Sequence, residues 1–149
     1  NIDAMNWFMD ARPLKAIGTG GRTVEKRGDL LDHMNVTFDY PGNVQATLIG
    51  SQIAPRFYRV NHERYIGENG VIETAREYWT HDLGKGPVSE KSPRDITADA
   101  LESFVARLVE GKPENTGVRG AESTLTALLG QMAIDLKREV TWEEMMRSA

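Results

Sequence analysis

The side chains in this chain best suited to move a proton near neutral pH are His33, His62 and His81. They stand far apart, with no H-x-H or H-E-x-x-H spacing, so a metal site has no local support. Cysteine is absent, which removes thiolate ligands, disulfides and a cysteine nucleophile together. No metal is expected. His33 falls on the polar side of an alternating run, where it reads either as a hydrogen-bonding surface or interface residue or as an acid–base group. Asp32 directly precedes it, and neighbours along a strand point to opposite faces, so the two are not expected to form a dyad. Asp3 stands one helical turn before Trp7, and a carboxylate there either complements the helix dipole or points into a cleft.

Other patterns invite a chemical reading and lose it on inspection. Gly18-Thr19-Gly20-Gly21 is followed neither by Gly-Lys-Ser/Thr nor by a helical pattern, and no G-x-G-x-x-G occurs. The glycines therefore read as a strand end with a bulge or tight turn. Ser123 lies outside any G-x-S-x-G elbow and reads as a polar residue in the first turn of a helix. Arg56, Arg59 and Arg64 interleave with Phe57, Tyr58 and Tyr65, a combination able to stack on nucleic acid. Glu63, Glu68 and Glu73 lie close by, and the net charge is −4, so an exposed strand or protein interface is the better reading and nucleic acid is not an expected partner.

The elements that must position these residues follow from periodicity. Ile2, Met5, Phe8 and Met9 recur at helical spacing up to Arg12-Pro13, where a helix cannot continue. Leu14 to Thr19 reads as a strand, and a turn-rich connection through Glu25-Lys26-Arg27 leads to Leu30–Tyr40. There Met34, Val36, Phe38 and Tyr40 alternate with His33, Asn35, Thr37 and Asp39. Pro41-Gly42-Asn43 turns the chain into Val44, Ala46 and Leu48, an antiparallel hairpin with one apolar face and one face of Thr, Asn and Gln. Asn69-Gly70 predicts a second hairpin with positive φ at its central residues, and Thr80 to Arg94 reads as a surface loop with room for a short edge strand. Thr97 is placed as the cap of a helix through Leu101, Phe104, Val105 and Leu108 that stops at Gly111. A second helix spans about Ala121 to Lys137, and Thr141-Trp142-Glu143-Glu144 opens a last short one.

The 149 residues, 40% hydrophobic and 27% charged, suit one globular domain. The fold class expected is α+β, a mostly antiparallel open sheet with helices packed on one face. No apolar run approaches the roughly 20 residues of a membrane span, so no membrane partner is expected. Asn1-Ile2-Asp3 shows neither the basic nor the apolar part of a leader.

Several segments, taken in order, resemble the C-terminal domain of the Gfo/Idh/MocA oxidoreductases. Asn1-Ile2-Asp3-Ala4-Met5-Asn6-Trp7 resembles the end of that family's H-x-x-D-x-x-x-W motif. Gly20-Gly21-Arg22, Asp32 through Pro41, Ile66-Gly67-Glu68-Asn69-Gly70, Asn115-Thr116, Glu122 through Gly130 and Trp142 resemble its later landmarks. The resemblance spans nearly the whole chain. It implies a single substrate-binding and oligomerisation domain, residues 1–149, whose own N-terminal Rossmann domain lies upstream and binds NAD or NADP. It also implies that the family's proton-transfer His stands immediately before Asn1 and its Lys further upstream, so that no catalytic residue lies in this fragment and the fragment alone is inactive.

The whole-protein activity so implied is NAD(P)-dependent oxidation of a secondary alcohol on a sugar or cyclitol. Asp3 is then the orienting partner of the missing His and a substrate-side group; Arg22, Asp32 and His33 are further substrate or interface candidates, and Trp7 is packing. A homo-oligomer through the sheet face follows from the same resemblance. The alternatives are an NAD-dependent glycosidase of the same family and a non-catalytic domain that oligomerises or binds carbohydrate. A cytoplasmic location is expected, with export to the periplasm as the alternative, because several segments resemble exported bacterial members.

Overall fold

The structure is a computed structural model that describes residues 1–24, 28–55, 57, 58 and 60–148. Its elements run α1 (Ile2–Met9), β1 (Lys15–Gly21), β2 (His33–Tyr40), β3 (Val44–Ser51), β4 (His62–Gly67), β5 (Gly70–Ala75), β6 (Tyr78–Asp82), β7 (Val88–Lys91), α2 (Ile96–Val109), α3 (Gly117–Leu136), β8 (Val140–Thr141) and α4 (Trp142–Ser148). The α+β class is as the alternation predicts. The chain divides into two compact units, Asn1–Tyr58 with Thr116–Ala149, and Arg59–Asn115.

The first unit is a four-stranded antiparallel sheet in the order β3-β2-β1-β8, packed on one face against α3. Alternation along β2 sends Val36, Phe38 and Tyr40 inward, where each is almost wholly buried with Leu129 and Ala133 of α3. Three glycines let the helix settle this close. A Cβ on Gly18 would lie 3.0 Å from Val36 Cγ2 and 3.2 Å from Ile134 Cγ1, and one on Gly130 would lie 3.1 Å from Phe38 Cζ. A Cβ on Gly20 would meet Leu31 and Ile134 at 3.1 and 3.3 Å. Gly18 to Gly21 are thus the second half of a regular strand, paired residue by residue with β2 from Val36 to His33, and the expected bulge or tight turn does not occur. The requirement they meet is space.

A buried polar relay joins the layers. Tyr40 donates its hydroxyl to Asn6 Oδ1 at 2.6 Å, Asn6 Nδ2 donates to Thr126 Oγ1 at 3.1 Å, and Thr126 donates to the Glu122 carbonyl at 2.9 Å. Asn6 and Thr126 are both buried, so leaving either unpaired would cost about 1–3 kcal/mol. At the other end of the unit Thr141 Oγ1 accepts from the Glu144 amide as the cap of α4, as predicted, and the Arg12 guanidinium lies 4.8 Å above the Trp142 ring. The two-residue strand β8, which pairs with Lys15 and Ala16, is too short to leave a periodic signal.

The second unit holds the antiparallel sheet β4-β5-β6-β7 and α2. Much of the segment read as a surface loop is strand, because Tyr78–Asp82 and Val88–Lys91 pair across the Leu83–Pro87 turn. The Asn-Gly hairpin exists, but its turn residues are Glu68 and Asn69, neither with positive φ, while Gly70 opens β5 opposite Gly67. Gly70 is demanded by proximity: a Cβ there would stand 2.5 Å from the Asp82 carbonyl oxygen. The cap of α2 is Asp95 rather than Thr97, its carboxylate accepting from the Thr97 and Ala98 amides at 2.8 and 3.1 Å. Gly111, at φ 69°, closes that helix as expected. Leu101, Phe104, Val105 and Leu108 do form a stripe on α2, yet all stay exposed. The segment Glu25-Lys26-Arg27 lies outside the described residues, as do Arg56 and Arg59.

Two glycines of α3 make opposite predictions. Gly120→Ala, with nothing within 4 Å of the new Cβ, should raise stability by about 0.5–1 kcal/mol through helix propensity. Gly130→Val should lower it by about 1–3 kcal/mol through overpacking against Phe38. Urea denaturation followed by circular dichroism reads both; a stabilised Gly130→Val would show that the helix has room to retreat.

Candidate functional site

Asp3 lies in the first turn of α1, facing α3. Its Oδ1 accepts from Ser123 Oγ at 2.9 Å and stands 3.5 Å from Arg119 Nε. One turn further along α1, Asn6 enters the relay with Thr126, so Asp3 and Asn6 on one helix meet Ser123 and Thr126 on the other. Trp7 does not pack into the core as expected; it is 62% exposed, with Phe8 edge-on at 5.1 Å. Periodicity put it on the helix, but in an eight-residue helix the buried positions are taken by Met5 and Asn6.

Asp32 and His33 correct a sequence expectation. Asp32 precedes β2 instead of lying on it, so the opposite-faces argument does not apply, and His33 Nδ1 sits 2.7 Å from Asp32 Oδ1. The carboxylate is buried, and its other oxygen accepts the Thr23 and Val24 amides at 2.8 and 2.7 Å. The Asp32 amide bonds the Gly21 carbonyl, and its own carbonyl accepts the Gln52 amide. One residue therefore ties the end of β1, the following turn, the start of β2 and the segment after β3. The imidazole lies over Gly21, where a Cβ would meet Cε1 and Nε2 at 3.0 Å. Arg22 is exposed and donates to the Gly28 carbonyl.

The four sequence-predicted site residues thus form two groups. Asp3 is fixed at Ser123, while the Gly20–Gly21 end of β1, where Arg22, Asp32 and His33 gather, is fixed at Ile134. At 1.5 Å per helical residue these anchor points on α3 are roughly 16 Å apart. Arg119 was missed because the predicted helix began at Ala121, whereas α3 begins at Gly117, and Ser123 was read only as a polar residue of the helix's first turn. Their i, i+4 spacing is the signal that would have paired them.

The remaining candidates are engaged elsewhere. Arg64 pairs with Glu73 across β4 and β5, which neutralises one of the cations weighed for nucleic acid. His81 stacks on Trp79 at 4.9 Å, and His62 is exposed. An open hollow of about 690 Å³ beside the Glu68–Asn69 turn includes Glu73 and Asp82, but Asp82 caps the Gly84 and Gly86 amides. Among the described residues no group of three or more His, Cys, Asp or Glu is placed to hold a metal, and no helix is long and apolar enough to cross a membrane. Nor do the glycines of β1 offer a nucleotide cradle, since their amides belong to a strand and the space above Gly18 and Gly20 is filled by Val36, Leu31 and Ile134.

Comparison with known proteins supplies the fold. No protein-family profile matches the sequence, and no curated protein does. Solved structures do match. The aldose–aldose oxidoreductase from Caulobacter crescentus superposes with a TM-score of 0.78 at 16% identity, over 94% of this chain and 44% of that one. UDP-N-acetylglucosamine 3-dehydrogenase from Acidithiobacillus ferrooxidans gives 0.79 at 16% identity, over 91% and 45%. An oxidoreductase from Agrobacterium radiobacter, solved with NAD+, L-tartaric acid and magnesium, gives 0.76 at 13% identity, over 97% and 47%. The chain shares the fold of the matching part of these oxidoreductases. It spans a little under half the length of the proteins it matches.

Two measurements check the local chemistry. Asp32→Asn should cost about 1–3 kcal/mol, because the Asp32 side chain can no longer serve all its donors as an acceptor. Amide exchange at Thr23 and Val24 should quicken, and unchanged exchange there would show that the turn holds without the carboxylate. In the second unit, burial first and the Glu63 charge second push the Tyr65 phenol up to about 12. The folded state therefore retains that proton longer than the unfolded chain, whose phenol titrates near 10. The stability this confers is complete below pH 10 and is lost as pH rises through about 12. Absorbance titration at 295 nm, compared with Tyr65→Phe, should show one phenol missing from the late phase.

Proposed function

We propose that this chain is the C-terminal, substrate-side half of an NAD(P)-dependent oxidoreductase that acts on a secondary alcohol of a sugar or cyclitol. The observation that carries the reading is the superposition of nearly the whole chain on parts of oxidoreductases, two of them named for sugar substrates. The dinucleotide belongs to an upstream Rossmann domain, in keeping with the strand pairing of the β1 glycines and the side chains that fill the space above them. Oxidation of a secondary alcohol requires a base for the hydroxyl proton. A His immediately before Asn1 would take that proton, and Asp3 would orient its ring as a carboxylate orients an imidazole in a hydrolase triad. Arg22, Asp32 and His33, at the far end of α3, are assigned to the sheet end and its interface.

The sheet's uncovered face supports a role in assembly. Thr19, Asn35 and Ile49 form one cross-strand row and Ile17, Thr37 and Thr47 the next. Ile49 is 76% exposed and Ile17 52%. Apolar side chains set among hydroxyls and an amide suit face-to-face packing of two copies. Exposed Trp7 and Phe8 give α1 a surface for the upstream domain.

Calorimetry on the longer gene product tests the catalytic half of this reading. That protein should bind NAD+ or NADP+ while residues 1–149 bind neither, and a longer protein indifferent to both leaves a non-catalytic carbohydrate-binding or oligomerising domain. Asn35→Glu with Thr37→Glu should lower the mass seen by sedimentation; an unchanged mass would move the interface off this face.

A further inference from the structure

From the seating of Asp3 we infer that Ser123 and Arg119 are positioning residues that aim its second carboxylate oxygen at the proton-transfer group; this rests on the reading of Asp3 given above. One hydrogen bond and one ion-pair contact converge on the same oxygen. Ser123 Oγ donates to Oδ1 at 2.9 Å, and Arg119 Nε stands 3.5 Å from that atom. Oδ2 has no partner among the described residues. Two contacts on one oxygen restrict the carboxylate's rotation and leave the lone pairs of the other oxygen open to a further donor. The two arms come from adjacent turns of α3, four residues apart, and approach along one helical ridge.

The base on which they stand is rigid. Thr126, on the next turn, is locked into the Asn6–Tyr40 relay, and Gly130 and Ile134 beyond it sit against β1 and β2. The residues 119, 123, 126, 130 and 134 make one continuous stripe on α3, polar where it meets α1 and small or apolar where it meets the sheet. The direction of Asp3 Oδ2 is thereby referred to the core of the unit.

The test needs no substrate. In the longer gene product labelled with 15N-histidine, the two ring nitrogens of the residue before Asn1 report which of them carries the proton. Asp3→Asn should abolish the preference. Ser123→Ala should weaken it by roughly three- to tenfold, the share of one hydrogen bond, and Arg119→Gln by less, as suits an exposed ion pair, while Ser123→Thr, which keeps the hydroxyl, should restore it. Thermal melts should stay close to wild type for Arg119→Gln, whose side chain is exposed. If Asp3→Asn moves the proton and neither α3 variant does, the positioning role is wrong and the Asp3 reading stands. If no His precedes Asn1, or Asp3→Asn changes nothing, both fall together.

Discussion

The first unit depends on how near α3 lies to β1 and β2. With larger residues at Gly18, Gly20 and Gly130 the helix would have to stand off, and Phe38, Leu129 and Ala133 would lose the close contact that makes them the centre of the core. The approach also fixes the helix lengthwise, because Ile134 occupies the space left by the missing side chains at Gly18 and Gly20. Once that end is set, the position of each residue toward the N-terminus of α3 follows from the helical rise. Thr126 then meets Asn6, and Ser123 and Arg119 meet Asp3, without any freedom left to choose other partners.

The same geometry separates the polar residues into two roles. At one end of α3 a carboxylate is held through a single oxygen and presents the other. At the opposite end the Asp32 carboxylate uses both oxygens within the fold, on two backbone amides and an imidazole. A buried carboxylate surrounded by donors stabilises the turn it organises, and its occupancy leaves it poorly placed to serve a ligand. His33, at the end of the sheet's outer face, is correspondingly closer to the rows of Thr, Asn and Ile than to Asp3. Structural likeness to oxidoreductases at 13–16% identity fixes the fold and leaves the chemistry to the residues at these two ends.

The second unit follows a different economy. Its sheet gains from cross-strand polar pairs such as Arg64 with Glu73 and Thr80 with Ser89, and its helix presents Leu101, Phe104, Val105 and Leu108 to the surface. Exposed ion pairs of this kind contribute only about 0–1 kcal/mol each. Backbone proximity, as at Gly70 beneath the Asp82 carbonyl, governs which residues its turns can hold.

The sequence by itself determined the α+β class, the hairpin of β2 and β3, the existence of α2 and α3, and the Thr141 cap, because periodicity and capping are local and survive in a single line of residues. Its order of motifs also pointed to the oxidoreductase fold that superposition bears out. Tertiary structure decided the rest. The glycines of β1 read locally as a turn and proved to be room for a helix more than a hundred residues away; the Asn-Gly pair read as a positive-φ turn and proved to be room for a neighbouring strand. Asp32 and His33 were held apart by an argument about strands that failed by one residue at the strand's start. Which candidates share a site was not legible at all, since Asp3 is 29 residues from Asp32 and 120 from Ser123, yet only the second pair touches. Periodicity reports which face a residue occupies, whereas the partner across that face is set by how closely two elements can approach.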